Sequence, residues 1–175
     1  MSYPGTLRPA EAGDYPEIDT VLRAAFGGTE EAFLIERLRF DGAVWHEFVM
    51  DHEGHVAGYY ALTRMIAPRG WACLAPVAVR PEWQRGALAR IDNGAPWQIG
   101  TEMMRALVDR VENRAEGLPE TVVVLGEPAF YGRTGFSLER ASRLRSPYPI
   151  AHTLIARAGT DSPDETLVYP AAFGG

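Results

Sequence analysis

The sequence predicts an α/β (α+β) domain with three layers, in which helices flank a central mixed β-sheet. Segments with apolar residues at helical spacing alternate with short apolar segments typical of buried strands, which is the pattern of such folds. No repeat, low-complexity tract or linker interrupts the 175 residues. A chain of this length can bury a core of its own. We therefore expect one domain spanning residues 1–175.

The N-terminal part is predicted to contain an edge strand, two helices and a hairpin. A proline ends the first strand, which suits the edge of a sheet. Asp14 is placed to cap the first helix, and glycines end both helices. A Glu53-Gly54 pair suits the hairpin turn. The predicted elements are a strand at 7–9, helices at 14–26 and 29–42, and strands at 45–50 and 55–65.

The remaining elements centre on a strand at 71–79 that is apolar on both faces, as expected in the middle of a sheet. Pro76 cannot donate a hydrogen bond to a neighbouring strand, so this strand should bulge or part from its neighbour there. After it we predict a helix ending near residue 115, a strand at 121–125, a short helix at 127–133, and strands at 135–138, 152–156 and 166–169.

A long loop separates the central strand from the next helix, whose N-terminus has the donors that bind phosphate. Two starts of this helix are possible. A helix starting at Gly86 would be broken by residues 92–96, whereas proline is favoured in a first turn, so a start near Pro96 is preferred. Trp83 and Trp97 border the loop and are placed to anchor it. The alternative is a plain strand–helix junction with a surface loop.

Composition excludes several classes of function. A net charge of −6 and a pI of about 5.2 argue against nucleic acid as a partner. No segment has the length of a membrane span or the pattern of a signal peptide, and a single cysteine, Cys73, fits a reducing compartment. His52 and His55 lack a second pair of ligands, so no metal is expected. We expect a cytoplasmic monomer or homodimer without membrane or nucleic-acid partners.

Residues 125–136, LGEPAFYGRTGF, follow an apolar strand and resemble the GNAT superfamily of N-acetyltransferases. The likeness is to a bacterial branch predicted to act on small substrates, in which LGxPxYYGRFGF follows the strand. Residues 74–84, LAPVAVRPEWQ, resemble the strand and start of the acetyl-CoA signature Q/R-x-x-G-x-G/A. The resemblance implies a splayed central sheet, acetyl-CoA as cosubstrate and N-acetyltransferase activity.

The resemblance also implies roles for individual residues. Tyr131 matches the tyrosine that protonates the departing thiolate of coenzyme A in many members. Glu127 is a candidate general base, as are Glu82, His46, Glu47 and His152, and members often use a water relayed from a carboxylate instead. The resemblance further implies which residues bind the cofactor, by pairing with its pantetheine arm or by contacting its pyrophosphate. They are Val77, Ala78, Val79, Gln84, Arg85, Gly86, Gln98, Ile99, Gly100, Thr101 and Phe130.

The chain departs from the family pattern in its phosphate loop. Gln84 and Gly100 are sixteen positions apart, where the pattern has five, so eleven residues are extra and 86–96 is interpreted as an inserted loop. Gln98 stands where the first glycine of the turn would fall. The main hypothesis is direct acetyl transfer to a primary amine of a small molecule. The alternatives are a non-catalytic acyl-CoA-binding sensor or interaction protein, and transfer of a longer acyl group.

Overall fold

The computed structural model of this chain describes residues 3–91 and 93–174. A six-stranded sheet has its strands in chain order from β1 to β6, and helices flank it. The β4–β5 pair is parallel, whereas β1–β2 and β5–β6 are antiparallel, so the predicted mixed-sheet fold class is confirmed. The strands are β1 (Thr6–Pro9), β2 (Val44–His52), β3 (His55–Arg64), β4 (Trp71–Val79), β5 (Thr121–Leu125) and β6 (Thr153–Arg157). The helices are α1 (Tyr15–Phe26), α2 (Glu30–Phe40), α3 (Ile99–Glu112) and α4 (Pro128–Arg133).

The chain packs into two compact units, each with a buried apolar core. The first unit comprises Met1–Gly42, His46–Ala61 and Pro76–Met103, and the second comprises Ala43–Trp45, Leu62–Ala75 and Met104–Gly175. In the described part of the chain, no helix has the length and apolar character needed to cross a membrane.

Helix α1 shows how local sequence builds the first unit. Its apolar stripe of Ile18, Val21 and Leu22 is fully buried, as the spacing predicts. The helix ends at Gly27, which adopts a left-handed conformation and donates its N–H to the carbonyl of Arg23. The predicted side-chain cap by Asp14 is wrong. Its carboxylate instead accepts two hydrogen bonds from Arg8, at 2.8 and 2.9 Å, because an opposite charge is within reach.

Strand β4 departs from both of its neighbours. Its pairing with β5 runs from Trp71↔Thr121 to Cys73↔Val123, so it ends three residues before Pro76, while β5 stays paired with β6 up to Leu125. Two backbone hydrogen bonds fix the alignment of β4 with β3. The N–H of Met65 donates to the carbonyl of Trp71, and the N–H of Arg80 donates to the carbonyl of Ala57. From Ala57 to Met65 is eight residues and from Trp71 to Arg80 is nine, so β4 contains one extra residue, as in a β-bulge.

One predicted helix start and two predicted strands are wrong. Helix α3 starts at Ile99 and not near Pro96, because Pro96 forms a bridge with Arg90 instead of entering the helix. The segments 135–138 and 166–169 do not form strands. Their residues pair singly and with different partners, such as Ser137↔Ile155 and Ala67↔Val168, so no continuous ladder develops.

Candidate active site

The start of α3 presents backbone N–H groups that the helix itself does not use. The first recorded bond of the helix runs from Glu102 N–H to the carbonyl of Gln98, at 2.9 Å. The N–H groups of Ile99, Gly100 and Thr101 precede this bond, so they have no acceptor within the helix. Gly100 and Thr101 are partly exposed, and the Gln98 side chain is exposed. This geometry, together with the positive end of the helix dipole, can hold an anion.

The loop 86–96 is closed at its base. A Cβ atom placed on Gly86 would lie 2.2 Å from Cβ of Pro96, so only glycine fits there. Gly86 also has a positive φ of +75°, which glycine tolerates. Further along, Trp97 N–H donates to Ala89 O at 2.9 Å, and the Arg90 guanidinium donates to Gly94 O at 3.0 Å. The two ends of this loop therefore lie together.

Trp97 holds the end of this loop next to α3. Its side chain is fully buried, and its indole N–H donates to the carboxylate of Glu102. The Trp97 ring lies 5.7 Å from the ring of His52, and the Trp83 ring lies 6.0 Å from the same ring, so both tryptophans contact one residue of β2. Burial raises the pKa of Glu102, with the indole bond opposing it. The Trp97–Glu102 pair was missed by sequence analysis, although their closeness in sequence offered a signal.

The end of β4 and the turn after it hold the other candidate cofactor residues of the first unit. Val77 and Val79 are partly exposed, whereas Ala78 between them is buried, as strand alternation requires. Gln84 uses its side-chain amide to donate to the carbonyl of Val79 at 3.0 Å, so it ties the turn Pro81–Gly86 to the strand end. Arg85 is exposed and adopts a φ of +56°.

Tyr131 lies in the second unit, on α4. Its ring covers the backbone of Gly126, where an added Cβ would lie 2.3 Å from the ring. Phe130 and Phe136 contact it edge-on, with ring centroids 4.9 and 5.7 Å away. Burial, followed by the nearby Cys73 thiol, raises the pKa of Tyr131. The phenol therefore stays protonated at neutral pH and can donate a proton.

Glu127 stands at the N-cap of α4. Its carboxylate accepts a long hydrogen bond of 3.5 Å from the N–H of Ala129, and its side chain is exposed. This arrangement is a helix cap. The backbone N–H of Tyr131 donates to the carbonyl of Glu127 at 3.1 Å, but the Glu127 carboxylate bonds Ala129 and not the Tyr131 hydroxyl.

Glu47, another candidate base, is held in a buried ion pair in the first unit. Its side chain is 8% exposed and accepts from Arg39 at 2.7 Å and from the hydroxyl of Tyr59 at 2.6 Å. The Arg39 guanidinium in turn stacks on the ring of Tyr15, 3.7 Å from its centroid. These partners stabilise the ionised carboxylate within the fold. Glu82 and His152 are exposed.

Comparisons with known proteins place this geometry in a family. No protein-family model matches the sequence. The Escherichia coli K12 protein YhbS, named an uncharacterized N-acetyltransferase, is 32% identical over 140 residues, which cover 78% of this chain and 75% of YhbS. The crystal structure of Escherichia coli YhbS in complex with CoA is similar with a TM-score of 0.80 and 25% identity, over 100% of this chain and 94% of that one.

A second solved structure has the same fold. The GNAT acetyltransferase of Brucella melitensis, in complex with acetyl-CoA, has a TM-score of 0.71 and 24% identity over 97% of each chain. The YhbS relative is matched over 75% of its length at 32% identity, which confirms the family expected from the motif LGEPAFYGRTGF. This chain therefore belongs to the GNAT family of N-acetyltransferases.

Proposed function

We propose that this chain transfers an acetyl group from acetyl-CoA to a primary amine of a small molecule, by direct attack of the amine on the thioester in a ternary complex. The observation that carries the proposal is the row of N–H groups at Ile99, Gly100 and Thr101, which lies ahead of the hydrogen bonding of α3. A pyrophosphate is the group that such a row suits. The YhbS structure in complex with CoA supports this choice of ligand.

In this proposal, residues 86–96 are an inserted loop that leaves the phosphate site usable. The contact between Gly86 and Pro96 closes the loop at its base, so the turn after β4 and the start of α3 stay neighbours. Glu102 lies in the first turn of α3, where its charge would repel a phosphate. The indole N–H of Trp97 donates to that carboxylate and partly screens its charge, which reduces the repulsion.

The remaining cofactor residues follow from the family resemblance. The backbone of Val77, Ala78 and Val79 pairs with the pantetheine arm as an added strand would. Gln84, Arg85, Gly86 and Gln98 border the phosphates, with Arg85 supplying an exposed positive charge, and Phe130 packs beside the thioester end. These assignments support acetyl-CoA as the cosubstrate.

The chemistry then needs one proton donor. The amine nitrogen attacks the carbonyl carbon, the carbon–sulfur bond breaks, and the thiolate takes the proton of the Tyr131 hydroxyl, which solvent restores. The acetylated nitrogen gives its extra proton to water. Burial raises the pKa of Tyr131, but the same apolar surroundings also make a departing thiolate more basic, so the transfer remains feasible. Glu127 is kept as the candidate base through such a water.

Thermal unfolding with acetyl-CoA tests the proposal. A ligand at one hundred times its Kd stabilises the folded state by about 2.7 kcal/mol, which is a readily measured rise in Tm. Free thiol released in the presence of a panel of primary amines then reports turnover. The absence of a Tm shift at millimolar acetyl-CoA would refute the proposal. A shift without turnover of any amine would favour the non-catalytic acyl-CoA-binding alternative.

A further inference from the structure

His52, the last residue of β2, contacts two tryptophans that flank the loop 86–96. The Trp83 ring stands edge-on to the imidazole, with centroids 6.0 Å apart and an angle of 78° between the planes. The Trp97 ring lies 5.7 Å from the same imidazole, at an angle of 52°. Trp83 belongs to the turn after β4, and Trp97 comes two residues before α3. One side chain in the sheet therefore contacts the segments on both sides of the loop.

The imidazole of His52 is fixed in its position. Its Nδ1 lies 3.0 Å from the carbonyl oxygen of Pro4. A carbonyl oxygen can only accept, so Nδ1 carries the hydrogen and donates it. The side chain is 15% exposed, and the residue before it, Asp51, is paired with Thr6 of β1. His52 is thus held by the sheet and by the N-terminal segment.

Trp83 is held from a second direction. The guanidinium of Arg80 lies over its ring, 4.7 Å from the centroid. Arg80 itself donates from Nε to the carbonyl of Val56 in β3, at 3.1 Å. The turn after β4 is therefore tied through Trp83 to His52 and through Arg80 to β3.

Trp97 is enclosed on the side of the chain start and tied to α3. A Cβ atom added to Gly5 would lie 2.7 Å from Cη2 of Trp97, so the N-terminal backbone passes directly against the indole. The indole is fully buried and donates its N–H to Glu102, in the first turn of α3. Because the indole is rigid, a displacement of Trp97 would displace the start of α3.

The two segments that His52 connects carry the candidate phosphate contacts. Gln84 and Gly100 are sixteen positions apart, so the covalent chain between them does not fix their distance. The contact of Gly86 with Pro96 joins the two ends of the loop, but it does not attach them to the sheet. Several N–H groups hold one anion well only when they converge on it. The position of both segments relative to the sheet is therefore set by contacts such as those of His52.

We propose that His52 is a positioning residue for acetyl-CoA. Through its ring contacts with Trp83 and Trp97, it sets the distance between the turn after β4 and the start of α3, and so the affinity for the pyrophosphate. The imidazole need not touch the cofactor for this. The inference rests on the proposed function, in which these two segments bind the phosphates.

The test measures the Kd for CoA by isothermal titration calorimetry, well below the lowest Tm of the set. His52→Ala removes both ring contacts and should raise the Kd about tenfold. His52→Phe restores a ring at this position and should bring the Kd back to within about threefold of the wild type. The control is His55→Ala, in the same hairpin, whose side chain is 65% exposed. It should leave the Kd unchanged.

A second pair of variants disturbs the same contacts from the other side. Gly5→Ala pushes against Trp97 and should also raise the Kd for CoA, whereas Gly13→Ala meets nothing within 4 Å and should not. If His52→Ala does not fold, this pair decides. With a responsive amine, His52→Ala should raise the KM for acetyl-CoA while kcat stays within about twofold, because His52 is placed to act on binding and not on the reacting atoms.

The outcomes separate this inference from the proposed function. If the wild type binds CoA and His52→Ala binds it equally well, the inference is wrong and the function stands, even where the Tm of the variant is lower. An equal loss of affinity in His52→Phe and His52→Ala also overturns the inference, because the ring contacts would then not matter. A wild type that binds CoA but acetylates no amine ends the proposed reaction, and the Kd values still decide the inference. A wild type that binds no CoA overturns both.

Discussion

Gly86 and Pro96 touch across the base of the loop 86–96, so closely that a single added Cβ on Gly86 would lie 2.2 Å from Cβ of Pro96. In the proposed function these residues are an insertion of eleven, the sixteen positions from Gln84 to Gly100 minus the five of the family pattern. The contact keeps the two ends of the loop together, so the proposal requires no opening between the turn after β4 and the start of α3.

Gly86→Ala should therefore weaken both folding and cofactor binding. Alanine is strained at a φ of +75° by about 1–2 kcal/mol, and the collision with Pro96 adds about 1–3 kcal/mol. Opening the base of the loop would also displace the candidate phosphate donors. We expect a lower Tm and a smaller Tm shift with acetyl-CoA, both measured by thermal unfolding.

Gly94→Ala is the matched control for that experiment. Gly94 lies in the same loop with a similar φ of +82°, but a Cβ there meets nothing within 4 Å. Gly94→Ala should lower the Tm by the backbone strain alone. It should keep the rise in Tm that acetyl-CoA causes in the wild type. Equal behaviour of the two variants would mean that the Gly86–Pro96 contact has no part in cofactor binding.

The sequence predicts much of the fold because its patterns are local. The apolar spacing of α1 and the apolar run of β5 depend only on neighbouring residues, and both elements lie where expected. The start of α3 could not be predicted in this way. Proline favours a first turn, but the bridge between Arg90 and Pro96 requires the loop to fold back on itself, which no local pattern encodes.

In the candidate site too, some residues are identified by a local sequence pattern and others only by the folded chain. Tyr131 is found from a motif of twelve residues, 125–136. Cys73 and Tyr169 are far apart in sequence and meet in one buried cluster only in the folded chain. Glu47 is a plausible base in the sequence, and only the folded chain pairs it with Arg39.

Tyr131→Phe should separate binding from chemistry. Phenylalanine keeps the ring that covers Gly126 and contacts Phe136, so the Tm and the acetyl-CoA shift should stay within error. Loss of the proton donor should lower kcat by about 10²-fold or more, measured as thiol release with a responsive amine. Tyr148→Phe removes a different phenol, one that donates to the carbonyl of Phe173 at 3.0 Å, and is the control that should keep kcat. An unchanged kcat in Tyr131→Phe would assign the proton to another donor.

Glu102 gives a pH-dependent prediction. Burial raises its pKa in the folded state, so the folded chain binds this proton more tightly than the unfolded chain does. The contribution of this group to the free energy of unfolding is fully present below the ordinary glutamate pKa. It is lost as the pH rises through the raised pKa of the folded chain. Glu102→Gln keeps an oxygen that accepts the Trp97 N–H but removes the titration.

The Glu102→Gln variant should therefore be more stable than the wild type at neutral pH, and the difference should vanish in acid. Thermal unfolding between pH 4 and 8 measures it. Trp97→Phe is the complementary variant, because it removes the indole donor while leaving the carboxyl buried. It should lower the Tm at every pH. A Glu102→Gln variant less stable than the wild type at pH 7 would mean that the ionised carboxylate stabilises the fold.

A substitution of Glu47 tests whether this carboxylate stabilises the fold or acts as the general base. Glu47→Ala leaves Arg39 and the hydroxyl of Tyr59 buried without their shared acceptor, and breaking a buried ion pair from one side costs about 3–5 kcal/mol. The control is Asp41→Ala, whose partner Arg37 is 65% exposed, so that it should cost less than about 1 kcal/mol. Urea unfolding measures both. If Glu47 is structural, kcat measured well below the Tm should be retained in Glu47→Ala. A large loss of kcat with little loss of stability would instead restore Glu47 as the general base.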